Sequence, residues 1–149
     1  MKLKSLLNPN PNPNPSNPEE WKLIRKDIPG RVVPDTRLNK VAEWDAVDIQ
    51  KIFIAVEGRD VDVQLMVDEV DVGVNIGDLE EAGITDPNGD WYLSRVDAAV
   101  APPIFYLLFI PDEFIANNVR LRLLNNEPDA RRILHGHIIY RVPQGGGRR

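Results

Sequence analysis

From Val61 the chain alternates in polarity. Val61, Val63, Leu65 and Val67 are apolar, with Asp62, Gln64, Met66 and Asp68 between them. A period of two marks a half-buried strand. Asp68-Glu69 then predicts a tight turn, and Val70-Asp71-Val72-Gly73-Val74 continues the alternation on a partner strand. Val119, Leu121 and Leu123 repeat it against Arg120 and Arg122. Ile133 to Val142 predicts a long last strand, with Leu134, Gly136, Ile138, Tyr140 and Val142 on one face. Ile133, His135, His137, Ile139 and Arg141 take the other. Trp21–Ile28, Ile49–Val56 and Trp91–Ser94 read as further strands, and 32–44 as loop with one short strand. The unbroken apolar run Ile104–Ile110 predicts a central strand buried on both faces.

Helical signal is confined to Gly77-Asp78-Leu79-Glu80-Glu81-Ala82-Gly83. Asp78 is placed to cap the N-terminus, Glu81 follows three residues on, and Gly83 suits a left-handed C-terminus. Pro29-Gly30, Asp86–Asp90, Pro102-Pro103 and Asn125–Asp129 are turn signals between the strands. The pattern predicts an all-β fold, an antiparallel two-sheet sandwich of jelly-roll-like kind. It has about eight strands and one short helix near residues 78–83.

Ahead of the strands lies a low-complexity segment, Asn8-Pro9-Asn10-Pro11-Asn12-Pro13-Asn14-Pro15-Ser16-Asn17-Pro18. Each proline fixes φ, lacks an N–H and biases the preceding Asn toward extended backbone. Such a segment has no core of its own, so it is either a disordered linker or an extended arm ordered along a neighbouring subunit. The division expected is an Asn-Pro arm at 1–20, a β-sandwich domain at 21–143 and a Gly/Arg tail at 144–149.

Composition narrows the partners. The 149 residues suffice for one domain with a core. A net charge of −5 argues against a general nucleic-acid surface. A local basic patch is open to Arg120, Arg122, Arg131, Arg132, Arg141, Arg148 and Arg149. Acidic residues fall early and basic ones late, the arrangement expected of subunits meeting head to tail. With zero cysteines there is no disulfide, thiolate catalysis or Cys-ligated metal. Met1–Leu7 opens like a signal n-region but its apolar stretch is too short, and no stretch has membrane-span length, so a soluble chain made in the cytoplasm is expected.

Few residues point to chemistry. His135-Gly136-His137 puts two imidazoles on one strand face, a chelating pair only if another ligand joins them. Asp86-Pro87-Asn88-Gly89-Asp90 opens like an EF-hand loop, but Trp91 stands at the position needing Gly and Asp97 at the closing Glu. Asp60, Asp62, Asp68, Glu69 and Asp71 offer carboxylates for calcium, though a solvated face guarding an edge is the commoner use. Ser5, Ser16 and Ser94 lie in no nucleophile elbow. Trp21, Trp44, Trp91, Tyr92 and Tyr106 are either sugar-stacking aromatics or core and interface anchors. No cofactor is called for, and a non-enzymatic protein is expected.

In its organisation the chain resembles the small β-sandwich minor capsid and decoration proteins of double-stranded DNA viruses. The arm Asn8–Pro18, the strand pair over Val61–Val74 and the one-turn helix Gly77-Asp78-Leu79 carry the likeness. So do the turn Asp86–Asp90 and the strands Val119–Leu123 and Ile138–Val142. The resemblance implies a structural protein at a virion or particle surface, which self-associates or docks on larger capsid proteins. Its interface candidates are Asn8, Pro9, Asn10, Pro11, Asn12, Pro13, Asn14 and Pro15, with Trp21, Arg120, Arg122 and Arg141. The alternative is a carbohydrate- or ligand-binding β-sandwich module.

Overall fold

The computed structural model describes residues 21–35, 37–85, 87 and 89–144. The Asn-Pro arm, Asp86, Asn88 and most of the Gly/Arg tail lie outside the described residues. Strands β1 (Trp21–Ile28) and β2 (Arg31–Val33) both pair with the long β11 (Arg131–Pro143). The other strands of the first sheet are β4 (Asp48–Glu57), β8 (Trp91–Asp97) and β9 (Ile104–Phe109), in the order β1-β11-β4-β9-β8. The second sheet runs β3 (Leu38–Trp44), β10 (Val119–Asn125), β5 (Val61–Val67), β6 (Val70–Asp71), with β7 (Val74–Asn75) also on β5. Every ladder between these strands is antiparallel, and the chain crosses between the sheets at β2–β3, β3–β4, β4–β5, β7–β8, β9–β10 and β10–β11, in the manner of a jelly roll.

The alternation read from the sequence is the alternation of burial. Val61, Val63, Leu65 and Val67 face inward, as do Val119, Leu121 and Leu123. They meet Ile52, Ile54, Phe105, Leu107 and Phe109 of the first sheet. Trp44 touches Tyr140 edge-on across the sandwich, with ring centres 5.3 Å apart. Trp91 Nε1 donates to the Val72 carbonyl at 2.9 Å, tying the edge of one sheet to the other.

Several local expectations change. The sandwich has more strands than expected because 32–44 holds both β2 and β3, and 70–74 splits into β6 and β7. The split falls at Gly73, where an added Cβ would stand 1.9 Å from the Val63 carbonyl. Strand β9 is buried on one face only, since Ile104, Tyr106 and Leu108 are half-open on the other. On β11 the pairing with β4 shifts between Ile133 and His135. That extra residue breaks the period of two, so Ile133 is buried in the core rather than sharing the outward histidine face.

The helix α1 (Ile76–Ala82) starts earlier than expected. Asn75, not Asp78, caps it: the Asn75 Oδ1 accepts the Asp78 N–H at 3.1 Å. Gly83 closes it in the left-handed region, φ 72°. The Asp68-Glu69 turn is present, with both residues at positive φ, 48° and 73°. Those signs match the twist of the flanking hairpin. The Asp68 carboxylate holds the turn by accepting the N–H groups of Asn117 and Asn118 at 3.2 and 2.8 Å.

Candidate functional site

The late arginines do not form one basic face. Glu57 and Asp48, from β4, take Arg132 and Arg141 of β11 in ion pairs. Glu127 takes Arg131 at 2.5 Å, and Glu80 takes Arg59 at 2.5 Å. Three early acids, Asp48, Glu57 and Glu69, thus pair with three late bases, Arg141, Arg132 and Arg120, within the chain. Arg141 lies on the outward face of the first sheet, bound to a buried Asp48, while Arg120 and Arg122 lie on the second. Trp21 begins β1 and is buried.

Outward on the second sheet, side chains stand in cross-strand rows. Glu43, Arg120, Met66 and Asp71 make one row; Lys40, Arg122 and Gln64 make the next; Leu38, Leu124 and Asp62 make the third. Arg120 reaches Glu69 with Nη2 at 3.4 Å. Its Nε, the Arg122 Nε and the Gln64 Oε1 are closed to solvent and have no hydrogen-bond partner. Buried polar atoms are nearly always paired, so three unpaired ones on one face are a departure that calls for a partner. Beside Gln64 the face opens into a hollow of about 200 Å³, with Leu38 and Leu124 on its apolar side and Asp62, Gly73 and Asn75 on the other.

The outward face of the first sheet carries an aromatic row. The Arg95 guanidinium sits 5.2 Å from the Tyr106 ring centre. Tyr106 stacks on Phe53 at 6.3 Å and 18°. Phe53 in turn meets His135 at 5.6 Å and His137 at 5.4 Å. Arg25 Nη2 ends the row, 3.4 Å from His137 Nδ1. Burial pushes the His137 imidazole below its ordinary value, and the Lys51 and Arg25 charges push it further. Gly136 lets β11 approach here, since an added Cβ would lie 2.3 Å from the Phe53 carbonyl. Of the aromatics singled out by sequence, Trp44 and Trp91 are core residues, leaving Tyr92 and Tyr106 partly open. Phe53 and Arg95 join the row only through strand pairing, which no local signal in the sequence announces.

The acidic stretch is divided between the two ends of β5. Asp60 and Asp62 are bridged by two amides: Asn75 Nδ2 donates to them at 3.1 and 2.7 Å, and Asn126 Nδ2 at 3.3 and 3.0 Å. At the far end Asp68 holds its turn, and Asp71 Oδ1 accepts the Gly73 N–H at 2.9 Å. Among the described residues no three His, Cys, Asp or Glu side chains are grouped to hold a metal ion. None of their helices is long and apolar enough to cross a membrane.

No family model and no curated protein matches the chain.

Proposed function

We propose that this chain is a non-enzymatic assembly subunit, of the capsid or particle-associated kind, that contacts its neighbours through the Asn-Pro arm and a sandwich face. The observation that carries the reading is the set of unpaired atoms on the outward second sheet, Arg120 Nε, Arg122 Nε and Gln64 Oε1. An unmade buried hydrogen bond costs about 1–3 kcal/mol. A docking neighbour recovers that energy by supplying acceptors and donors. The jelly-roll architecture agrees, being one that capsid subunits use, though lectins use it too. Light scattering on the full chain across a concentration series tests the proposal. Oligomers are expected for the native sequence, weakened at least tenfold in Arg120→Ala/Arg122→Ala, each lost contact contributing on the order of 1 kcal/mol. A monomer at every concentration, with no larger particle bound, counts against it.

A second reading rests on the row Arg95–Tyr106–Phe53–His135. Outward aromatic faces beside a guanidinium suit stacking on a sugar ring, which makes the chain a carbohydrate-binding module. Glycan-array binding abolished by Phe53→Ala or Tyr106→Ala would favour this over assembly.

A further inference from the structure

We infer that the hollow on the outward face of the second sheet receives the Asn-Pro arm, residues 8–18, of a second copy of this chain. The inference rests on the assembly reading and names its contact. The hollow is apolar at Leu38 and Leu124 and polar at Gln64, whose cross-strand neighbour is Arg122. Gln64 Oε1 lacks a donor and Arg122 Nε lacks an acceptor. An Asn side chain supplies both, an NH₂ for the first and a carbonyl for the second. Each proline adds an apolar ring, and its missing N–H leaves the arm rich in acceptors and poor in donors. That imbalance suits Arg122, whose Nε has no acceptor, whereas Lys40 and Arg120 on the same face are already held by Glu43 and Glu69.

Spacing agrees with chemistry. An extended Asn-Pro unit advances about 6.2 Å. Same-face residues on a strand are separated by about 6.8 Å. One dipeptide step thus spans the distance from the Arg122 row to the Leu124 row. With one Asn at the Gln64–Arg122 pair, the next Asn reaches the Leu38–Leu124 row, and the Pro between them, about 3.1 Å from each, lies against the rim of those two leucines. Gln64 and Arg122 turn their terminal groups outward to make these bonds, without movement of the strands.

Direction favours a second copy. The arm leaves the sandwich at Trp21, opposite Pro143 and beside the end where Arg141 meets Asp48. The hollow lies at the other end, with Leu124 and Asn75. Val119 to Leu124 alone separates those ends by about 17 Å. A chain's own arm would have to double back along the sandwich, whereas copies placed end to end present the arm of one to the hollow of the next.

The absence of cysteine makes a trap simple. Full-length Asn12→Cys is mixed with full-length, size-tagged Leu38→Cys under mild oxidation. Leu38 is 42% exposed at the rim of the hollow. Lys51→Cys, outward on the first sheet, is the control partner. Docking raises the local thiol concentration, so the Asn12/Leu38 disulfide should form on the order of 100-fold faster than Asn12/Lys51. Adding Gln64→Leu and Arg122→Met to the Leu38→Cys chain should return it to the control rate while its thermal melt still shows a folded protein. An unchanged rate there removes those two groups from the contact. Equal rates for the two original pairs overturn the docking, and a disulfide formed only within an Asn12→Cys/Leu38→Cys chain overturns the second copy as occupant. Light scattering on the same samples separates the two proposals: oligomers with equal rates refute the docking alone, and monomers with equal rates refute both.

Discussion

Glu127→Gln tests whether one carboxylate fastens one end of the sandwich. Glu127 Oε2 accepts the Arg59 and Asp60 N–H groups at 2.8 and 3.0 Å, and Oε1 accepts Arg131 Nε at 2.5 Å. The β4–β5 turn, the β10–β11 turn and the start of β11 meet on this one group. Gln keeps a single acceptor oxygen, so its NH₂ must face either two backbone donors or a guanidinium donor. Hydrogen bonds to a charged group contribute about 1.5–3 kcal/mol, and the 16% exposure of this side chain allows some solvent relief. We expect a loss of about 2 kcal/mol at pH 7, or roughly 6–10 °C in Tm for a domain of this size.

The pH dependence supplies a second arm of the same test. Burial raises the Glu127 pKa, but the Asp60 N–H, Arg131 and the Arg59 N–H together outweigh it and hold the group below its ordinary value. A depressed carboxylate contributes its full stability above its unfolded pKa, about 4.3, and loses it as pH falls through the folded value. The gap between native and Gln chains, followed by urea unfolding from pH 7 to pH 3, should therefore narrow below about pH 4.3. A gap under roughly 0.5 kcal/mol at pH 7, or one that stays constant to pH 3, would refute the reasoning.

Other outcomes follow from equally local features. His137, held below its ordinary pKa chiefly by burial, should make the native chain lose stability as pH drops below about 6.5, and His137→Gln should flatten that limb in melts at pH 7 and 5. Gly73→Ala drives a Cβ to 1.9 Å from the Val63 carbonyl and should destabilise by about 3 kcal/mol, read by urea unfolding. Glu69→Gly removes a positive φ of 73° from a residue with a Cβ and should raise stability by about 1 kcal/mol, since its 3.4 Å pairing with Arg120 is exposed and weak. A melt lowered by Glu69→Gly would contradict that balance. Deleting residues 1–18 should leave the melt of the sandwich nearly unchanged while reducing assembly, both measured on one preparation.

Period-two patterning made Val61–Val67, Val119–Leu123 and the jelly-roll class legible, because inward and outward faces of a sandwich differ sharply in polarity. The pattern failed where pairing, not polarity, decides. The Ile133 shift is a bulge set by β4, and the open face of Ile104–Phe109 depends on which strands flank it. Asn75 outcompeted Asp78 as the cap because β7 delivers its side chain to the helix start. Of the site, Arg120 and Arg122 could be named from alternation alone. Gln64 could not, because its unpaired oxygen comes to stand beside Arg122 only across a ladder. Arg141 read as a free interface charge only because Asp48, 93 residues distant in sequence, is invisible to local reading.

Among the described residues the thirteen-residue β11 is the last strand, yet it lies between β1 and β4 and also holds β2. Strands β4, β9 and β8 can pair without it, but β1 and β2 reach the sheet only through β11. Without β11, β1, β2 and β4 present unpaired edges, and the sheet is closed by pairing between strands more than 100 residues apart, Trp21 opposite Pro143. Completing the sheet therefore waits on pairing between strands far apart in sequence, and a chain lacking β11 is prone to join its neighbours instead.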